Sequence, residues 1–253
     1  MIDSHAHLSM FEPDERAAVL ARAHDAGVTR ILAPATGQAD LDAVAELAGT
    51  QEGKVVGALG FHPHEASTLD AAWKRRLERL LSSPAIVAVG EIGLDYHYDL
   101  SPREEQRQAL AWQLALARER DLPVVLHQRE AWVDFLAALD ACPGTRGVAH
   151  SFTEGAPGVE EVTERGLFVG ISGMVTFTNG DNVREAAKAV PSGCLLVETD
   201  SPYLAPVPHR GRRNEPAYVR LVAETVARVR KADLAVIERE TDSAFAELFL
   251  PSG

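Results

Sequence analysis

His5 and His7 stand one residue apart at the end of the chain's first apolar run, a spacing that turns both imidazoles to the same side of an extended backbone. Elsewhere Glu91 closes Val87-Ala88-Val89-Gly90, His127 closes Val124-Val125-Leu126, and His150 closes Val148-Ala149. Asp200 follows Leu195-Leu196-Val197 by way of Glu198 and Thr199. Imidazole and carboxylate together are the ligand mix of a divalent transition metal. One histidine or acid at a strand end is ordinarily a packed or salt-bridged side chain. Recurrence at the same end of several apolar runs has no such structural reason, so His5, His7, Glu91, His127, His150 and Asp200 are expected to bind metal. Six ligands exceed what one tetrahedral ion with an open position needs. They divide between two ions with Glu91 as the bridge. Two ions can activate a water and clamp the attacking and leaving oxygens of an in-line displacement at phosphorus.

The elements that would position these residues alternate along the whole chain. Apolar runs near 1–8, 28–35, 55–61, 86–93, 123–128, 146–151, 167–172 and 194–199 read as strands covered on both faces, because they lack the polar alternation of a half-exposed sheet. Helical spacing of apolar residues recurs at 12–26, 41–47, 70–81, 104–120, 131–139 and 182–189. Eight strand-helix units in 253 residues match an α/β fold of the (β/α)8 TIM-barrel type, in which all strand C-termini share one face. A doubly wound sheet would place a Gly-rich loop after its first strand. This chain has His-Ala-His there, and no linker or low-complexity tract divides it, so residues 1–253 are expected to form a single domain.

Composition narrows the partners. A net charge of −12 disfavours binding to a nucleic-acid backbone through a broad basic face, so a phosphate substrate must be held locally. Cys142 and Cys194 sit in no metal-spaced or redox motif, which fits buried thiols in a reducing cytoplasm. No apolar stretch reaches the roughly 18 residues of a membrane span, and the chain starts on a strand without a secretory leader. A cytoplasmic protein with no membrane association and no obligate protein partner is expected.

Several residues read as substrate contacts. His62 and His64 follow Ala58-Leu59-Gly60-Phe61, where an imidazole could donate to a phosphate oxygen or a leaving group. Arg129 lies two residues past His127, on the same side of an extended chain. Arg212 and Arg213 belong to a basic patch, His209-Arg210-Gly211-Arg212-Arg213, ahead of a helix start signalled by Asn214 and Pro216; a helix N-terminus there would help hold phosphate. Tyr203 and Phe152, near strand ends, could stack on a base. His24 reads as a solvated residue of the first helix.

These residues together resemble the TatD-type metal-dependent hydrolases and deoxyribonucleases. The likeness runs through Asp3-Ser4-His5-Ala6-His7-Leu8, Gly60-Phe61-His62-Pro63-His64, Gly90-Glu91-Ile92-Gly93-Leu94-Asp95-Tyr96, His127, Glu198-Thr199-Asp200-Ser201-Pro202-Tyr203-Leu204-Ala205-Pro206 and Gly211-Arg212-Arg213-Asn214-Glu215-Pro216, nearly the whole chain. It implies an amidohydrolase-like TIM barrel, a divalent-metal centre on the same six residues, and hydrolysis of DNA, commonly from the 3′ end. Related metal barrels also use a carboxylated lysine as bridge, but Lys54, Lys74, Lys188 and Lys231 all fall outside the expected strand ends. The chain departs from the common pattern at His97, where an aromatic is usual, and at Glu154, where serine is usual.

The expected activity is a 3′-to-5′ exodeoxyribonuclease acting on single strands or 3′ ends. It would use two divalent ions (Mg, Mn or Zn), with Asp200 as ligand and general base and with Glu91 and His62 completing the catalytic set. The alternative on the same centre is hydrolysis of a small ester, lactone or amide. The arginines beside strand eight separate the two, since a neutral substrate has little use for them.

Overall fold

The computed structural model describes residues 1–51 and 53–250. The eight expected strands are all present: β1 (Ile2–Asp3), β2 (Arg30–Pro34), β3 (Val55–Leu59), β4 (Ile86–Asp95), β5 (Val124–Arg129), β6 (Gly147–Ala149), β7 (Leu167–Ile171) and β8 (Leu195–Val197). They form one eight-stranded sheet in the order β1 to β8. A doubly wound sheet reverses its strand order at a switch point. This sheet does not reverse, and each named pairing is parallel.

Among the described residues, nine α-helices follow the strands: α1 (Pro13–Asp25), α2 (Leu41–Thr50), α3 (Ala71–Leu80), α4 (Arg103–Glu119), α5 (Trp132–Ala141), α6 (Gly155–Glu164), α7 (Asp181–Ala189), α8 (Val219–Arg230) and α9 (Leu234–Phe249). Six lie where helical spacing placed them. Helices α6 and α9 lie outside the segments with expected helical spacing. The helix expected after Pro216 begins as a 3-10 turn, Pro216–Tyr218, before α8. Asn214 does not cap it. Its Nδ2 donates instead to the carbonyls of Thr199 and Tyr203, tying this segment to the chain after β8.

Two compact units make up the chain. The first comprises Met1–Leu32, His150–Glu164 and Phe168–Gly253. In it β1 pairs with β2 on one side, and on the other Ser4 N–H donates to the Val197 carbonyl while Ala6 bridges Ser201 in parallel. The chain end after β1 is thereby laid beside the end of β8. Val169, Ile171, Leu195, Leu196 and Val197 are buried beneath it, with Val222, Val226, Ile237 and Phe245 from α8 and α9.

The second unit comprises Ala33–Ala149 and Arg165–Leu167. Its centre is β4, the longest strand, buried along its whole length between β3 and β5. Gln113 of α4 is fully buried and clamps Phe61 by both its amide and its carbonyl. Gln106 does the same for the end of β4, accepting from the Asp95 N–H and donating to the Asp95 carbonyl. The strand ends that carry the candidate residues are thus held by satisfied polar side chains.

Gly93 pairs with His127 where β4 and β5 come closest. It has φ +152°, and a Cβ added there would clash with the His127 carbonyl oxygen. Gly93→Ala must push the two strands apart, so it is expected to cost about 3 kcal/mol, the upper end of overpacking penalties. Thermal melting checks this; a melting temperature unchanged within a degree would show that the approach is looser than described.

Candidate metal centre

His5 and His7 lie beyond β1 rather than within it, because β1 spans only Ile2–Asp3. Their shared orientation comes from hydrogen bonds to the far strand end: His7 N–H donates to the Ser201 carbonyl, and Asp200 N–H to the His5 carbonyl. The result sets His5 Nε2 3.2 Å from His7 Nε2, with Asp200 Oδ1 3.8 Å and 3.4 Å from them. All three residues are buried. Two imidazole nitrogens and a carboxylate oxygen therefore converge on one point, with at most one proton between the two nitrogens. That donor set fits a divalent cation.

The backbone at Asp200 has φ +57°, a left-handed conformation that Asp and Asn tolerate better than most residues. Burial works against its charge, but the hydrogen bond from His7 and the neighbouring His150, His5 and His7 outweigh it. The carboxyl is held below the usual range. Ionised Asp200 can therefore serve as a ligand or accept a proton.

His150 belongs to the same unit, its ring stacked on that of His5 at 3.9 Å. Its Nδ1 lies 3.3 Å from Glu198 Oε1. Glu198 is fully buried, accepts from the Ser151 N–H on the same oxygen, and approaches Ser4 Oγ with the other. His5, His150 and Glu198 form a second possible metal group. With both Glu198 oxygens engaged by protein donors, the carboxylate is better suited to orient His150 than to bind an ion. Glu198 stands two residues before Asp200, so the alternation of an extended chain was the sequence signal for it.

The third group is in the second unit: His62, Glu91 and His127. Glu91 Oε1 lies 3.1 Å from His127 Nδ1 and 3.5 Å from His62 Nε2, and Glu91 is buried. Hydrogen bonding separates the two imidazoles. His62 Nδ1 accepts the His64 N–H, so the neutral His62 ring carries its proton on Nε2, facing Glu91. His127 has a carboxylate at each nitrogen, Asp95 Oδ2 3.2 Å from Nε2 and Glu91 Oε1 at Nδ1, so a cation between Nδ1 and Glu91 would leave Nε2 as the N–H donor to Asp95. Glu91 and His127 could therefore hold an ion here, with His62 as an N–H donor beside them.

The remaining candidates sit around these groups. His64 Nε2 is 3.0 Å from Asp95 Oδ2, and its ring meets Tyr98 edge to face. Arg129 is exposed, lies over the Tyr98 ring and forms no ion pair with a described residue. In the first unit Tyr203 is half exposed, edge to face with His7. Arg212 is exposed and likewise forms no ion pair with a described residue. Arg213 is committed elsewhere: it pairs with Glu15, donates to the Met10 carbonyl and covers the Phe11 ring. Phe152 is buried, which makes it packing rather than a stacking surface, and His24 is exposed beside Asp25.

Known proteins share both sequence and fold with this chain. The protein-family model described as TatD related DNase matches residues 2–250. A 3′-5′ ssDNA/RNA exonuclease TatD of Cronobacter sakazakii is 39% identical over 252 residues, covering 96% of this chain and 94% of that protein. An uncharacterized metal-dependent hydrolase, YabD of Bacillus subtilis, is 34% identical and covers 98% of each. Among solved structures, the Escherichia coli K12 TatD homolog YjjV superposes with a TM-score of 0.92 at 31% identity, covering 100% of this chain and 98% of that one. The strand order described above is that of the same (β/α)8 TIM barrel. This chain belongs to the TatD family of metal-dependent hydrolases.

Proposed function

We propose that this protein hydrolyses phosphodiester bonds of DNA, releasing nucleotides from the 3′ ends of single strands, and that residues 1–253 work as one catalytic domain. The observation that carries this reading is the pairing of clustered imidazole and carboxylate ligand atoms with exposed arginines that no described carboxylate neutralises. The TatD exonuclease of Cronobacter sakazakii, named for ssDNA and RNA, supports the substrate class.

In this reading His5, His7 and Asp200, His150 through Nε2, and Glu91 with His127 Nδ1 hold two divalent ions, with Mg, Mn and Zn as the candidates. Such ions supply Lewis-acid polarisation of a phosphoryl oxygen and activation of water. Asp200, kept ionised, accepts the proton of the attacking water. His62 Nε2–H donates toward the scissile group or its leaving oxygen. His64, Arg129, Arg212 and Tyr203 hold the phosphates and a terminal base from the rim; Arg213, already paired, shapes that rim more than it binds. A cytoplasmic location without an obligate protein partner belongs to the same proposal. No helix of the described residues is long and apolar enough to cross a membrane.

The test is incubation of metal-reconstituted protein with 5′-end-labelled single-stranded DNA, its RNA equivalent, a chromogenic ester and a phosphotriester. A metal-dependent ladder shortening from the 3′ end of the DNA is expected. Turnover of the ester alone would overturn the nuclease reading and favour the small-substrate alternative.

A further inference from the structure

Asp95 closes β4, four residues after Glu91, so period-two alternation puts both carboxylates on one face of the strand with Gly93 between them. It is fully buried. Each oxygen has its own task. Oδ1 accepts the main-chain N–H of His97 at 3.0 Å and of Tyr98 at 2.9 Å. Oδ2 faces two imidazoles, His64 Nε2 at 3.0 Å and His127 Nε2 at 3.2 Å. The main chain of Asp95 is pinned on both sides by Gln106. This carboxylate cannot swing away from His127 without breaking several buried hydrogen bonds at once.

We propose that Asp95 is the positioning residue that decides which nitrogen of His127 can bind metal. Asp95 and Glu91 face the two nitrogens of one imidazole, and a cation between Nδ1 and Glu91 can be bound only if the ring proton stays on Nε2, where the acceptor-only Asp95 carboxylate holds it. Nδ1 is then free of the proton and can share a cation with Glu91 Oε1, 3.1 Å away. Carboxylates placed behind ligating histidines in this way fix the ring's tautomer and orientation and raise its basicity. The inference rests on the ligand role proposed for His127.

The geometry also says what the isosteric amide should do. In Asp95→Asn only one oxygen remains, and two main-chain N–H groups need it at the Oδ1 position; turning the amide round would leave both unsatisfied in the interior. The NH2 group must then face His64 and His127. Nε2 of His127 becomes an acceptor, its proton moves to Nδ1, and the lone pair aimed at Glu91 is lost.

The experiment records long-range proton–nitrogen spectra of 15N-histidine-labelled, zinc-loaded protein at about pH 8, above the ordinary histidine range. The His127 signals are assigned by their disappearance in His127→Gln. The wild type is expected to show the Nε2–H tautomer, Asp95→Asn the Nδ1–H tautomer, and His64→Ala the wild-type one. Zinc binding, measured by competition with a chromophoric chelator, should weaken 10- to 100-fold in Asp95→Asn for one of two ions. A folded Asp95→Asn protein with Nε2–H at His127 and unchanged zinc binding would overturn the proposal. So would an Nδ1–H tautomer in the wild type, a result that needs no variant to fold. Zinc binding unaffected by His127→Gln would instead remove His127 from the ligand set, a separate failure.

Discussion

Asp200→Asn is expected to lower kcat for oligonucleotide hydrolysis about 10³-fold, roughly 4 kcal/mol of transition-state stabilisation, within the range of a lost general base. The substitution is chosen for its backbone as much as its charge. At φ +57° alanine would be strained, whereas asparagine keeps the left-handed conformation and the hydrogen bonds that run from Asp200 N–H to His5 and from Tyr203 N–H to Asp200. The amide oxygen can still approach His5 Nε2 and His7 Nε2, so ion binding should survive at saturating metal. Proton acceptance should not. The measurement is kcat and KM on a labelled oligonucleotide beside metal content by mass spectrometry. Metal retained with turnover lost assigns the base; wild-type kcat with full metal would remove Asp200 from that role.

Residues of the fold and of the site differ in the kind of signal each leaves in the chain. Strands were legible because buried parallel strands are continuous apolar runs, and their order followed from regular alternation with helices. Helix α9 was not legible by the same test: it follows α8 with only a few residues between, so no strand punctuates it. The six metal-type residues could be read because each stands as a polar interruption at an apolar run's end. Glu198 and Asp95 stand in the same motifs but read there as neighbours of a ligand. What assigns them is the atom each one faces, His150 Nδ1 and His127 Nε2, and such a contact depends on strand register that no single sequence displays. The same holds for His62. Its residue type suits a ligand, and only the N–H of His64 donating to Nδ1 turns it into a donor. Arg213 shows the opposite case, a cation well placed in sequence whose charge is taken up by Glu15.

Glu91→Gln should abolish measurable hydrolysis, a fall of 10⁴-fold or more, and uncouple stability from metal. Glu91 is buried with His127 Nδ1 and His62 Nε2 around one of its oxygens. A carboxylate in such a place is costly unless a cation compensates it, so the wild type should gain much of its stability when loaded. An ion at a hundred times its Kd adds about 2.7 kcal/mol by mass action. For a chain of this length that raises Tm by about 5–10 °C, taking roughly 2–4 °C per kcal/mol. In Glu91→Gln the neutral amide needs no cation and keeps the volume of the side chain. Its Tm in chelator should therefore equal or exceed that of wild type in chelator, and adding zinc or manganese should raise it by less than half the wild-type increment. Lower stability in chelator together with a full metal-induced rise would mean that Glu91 is a structural carboxylate and not a ligand. The paired result expected here, inactive yet no less stable without metal, is the pattern of a charge kept in the interior for its chemistry at a cost to folding.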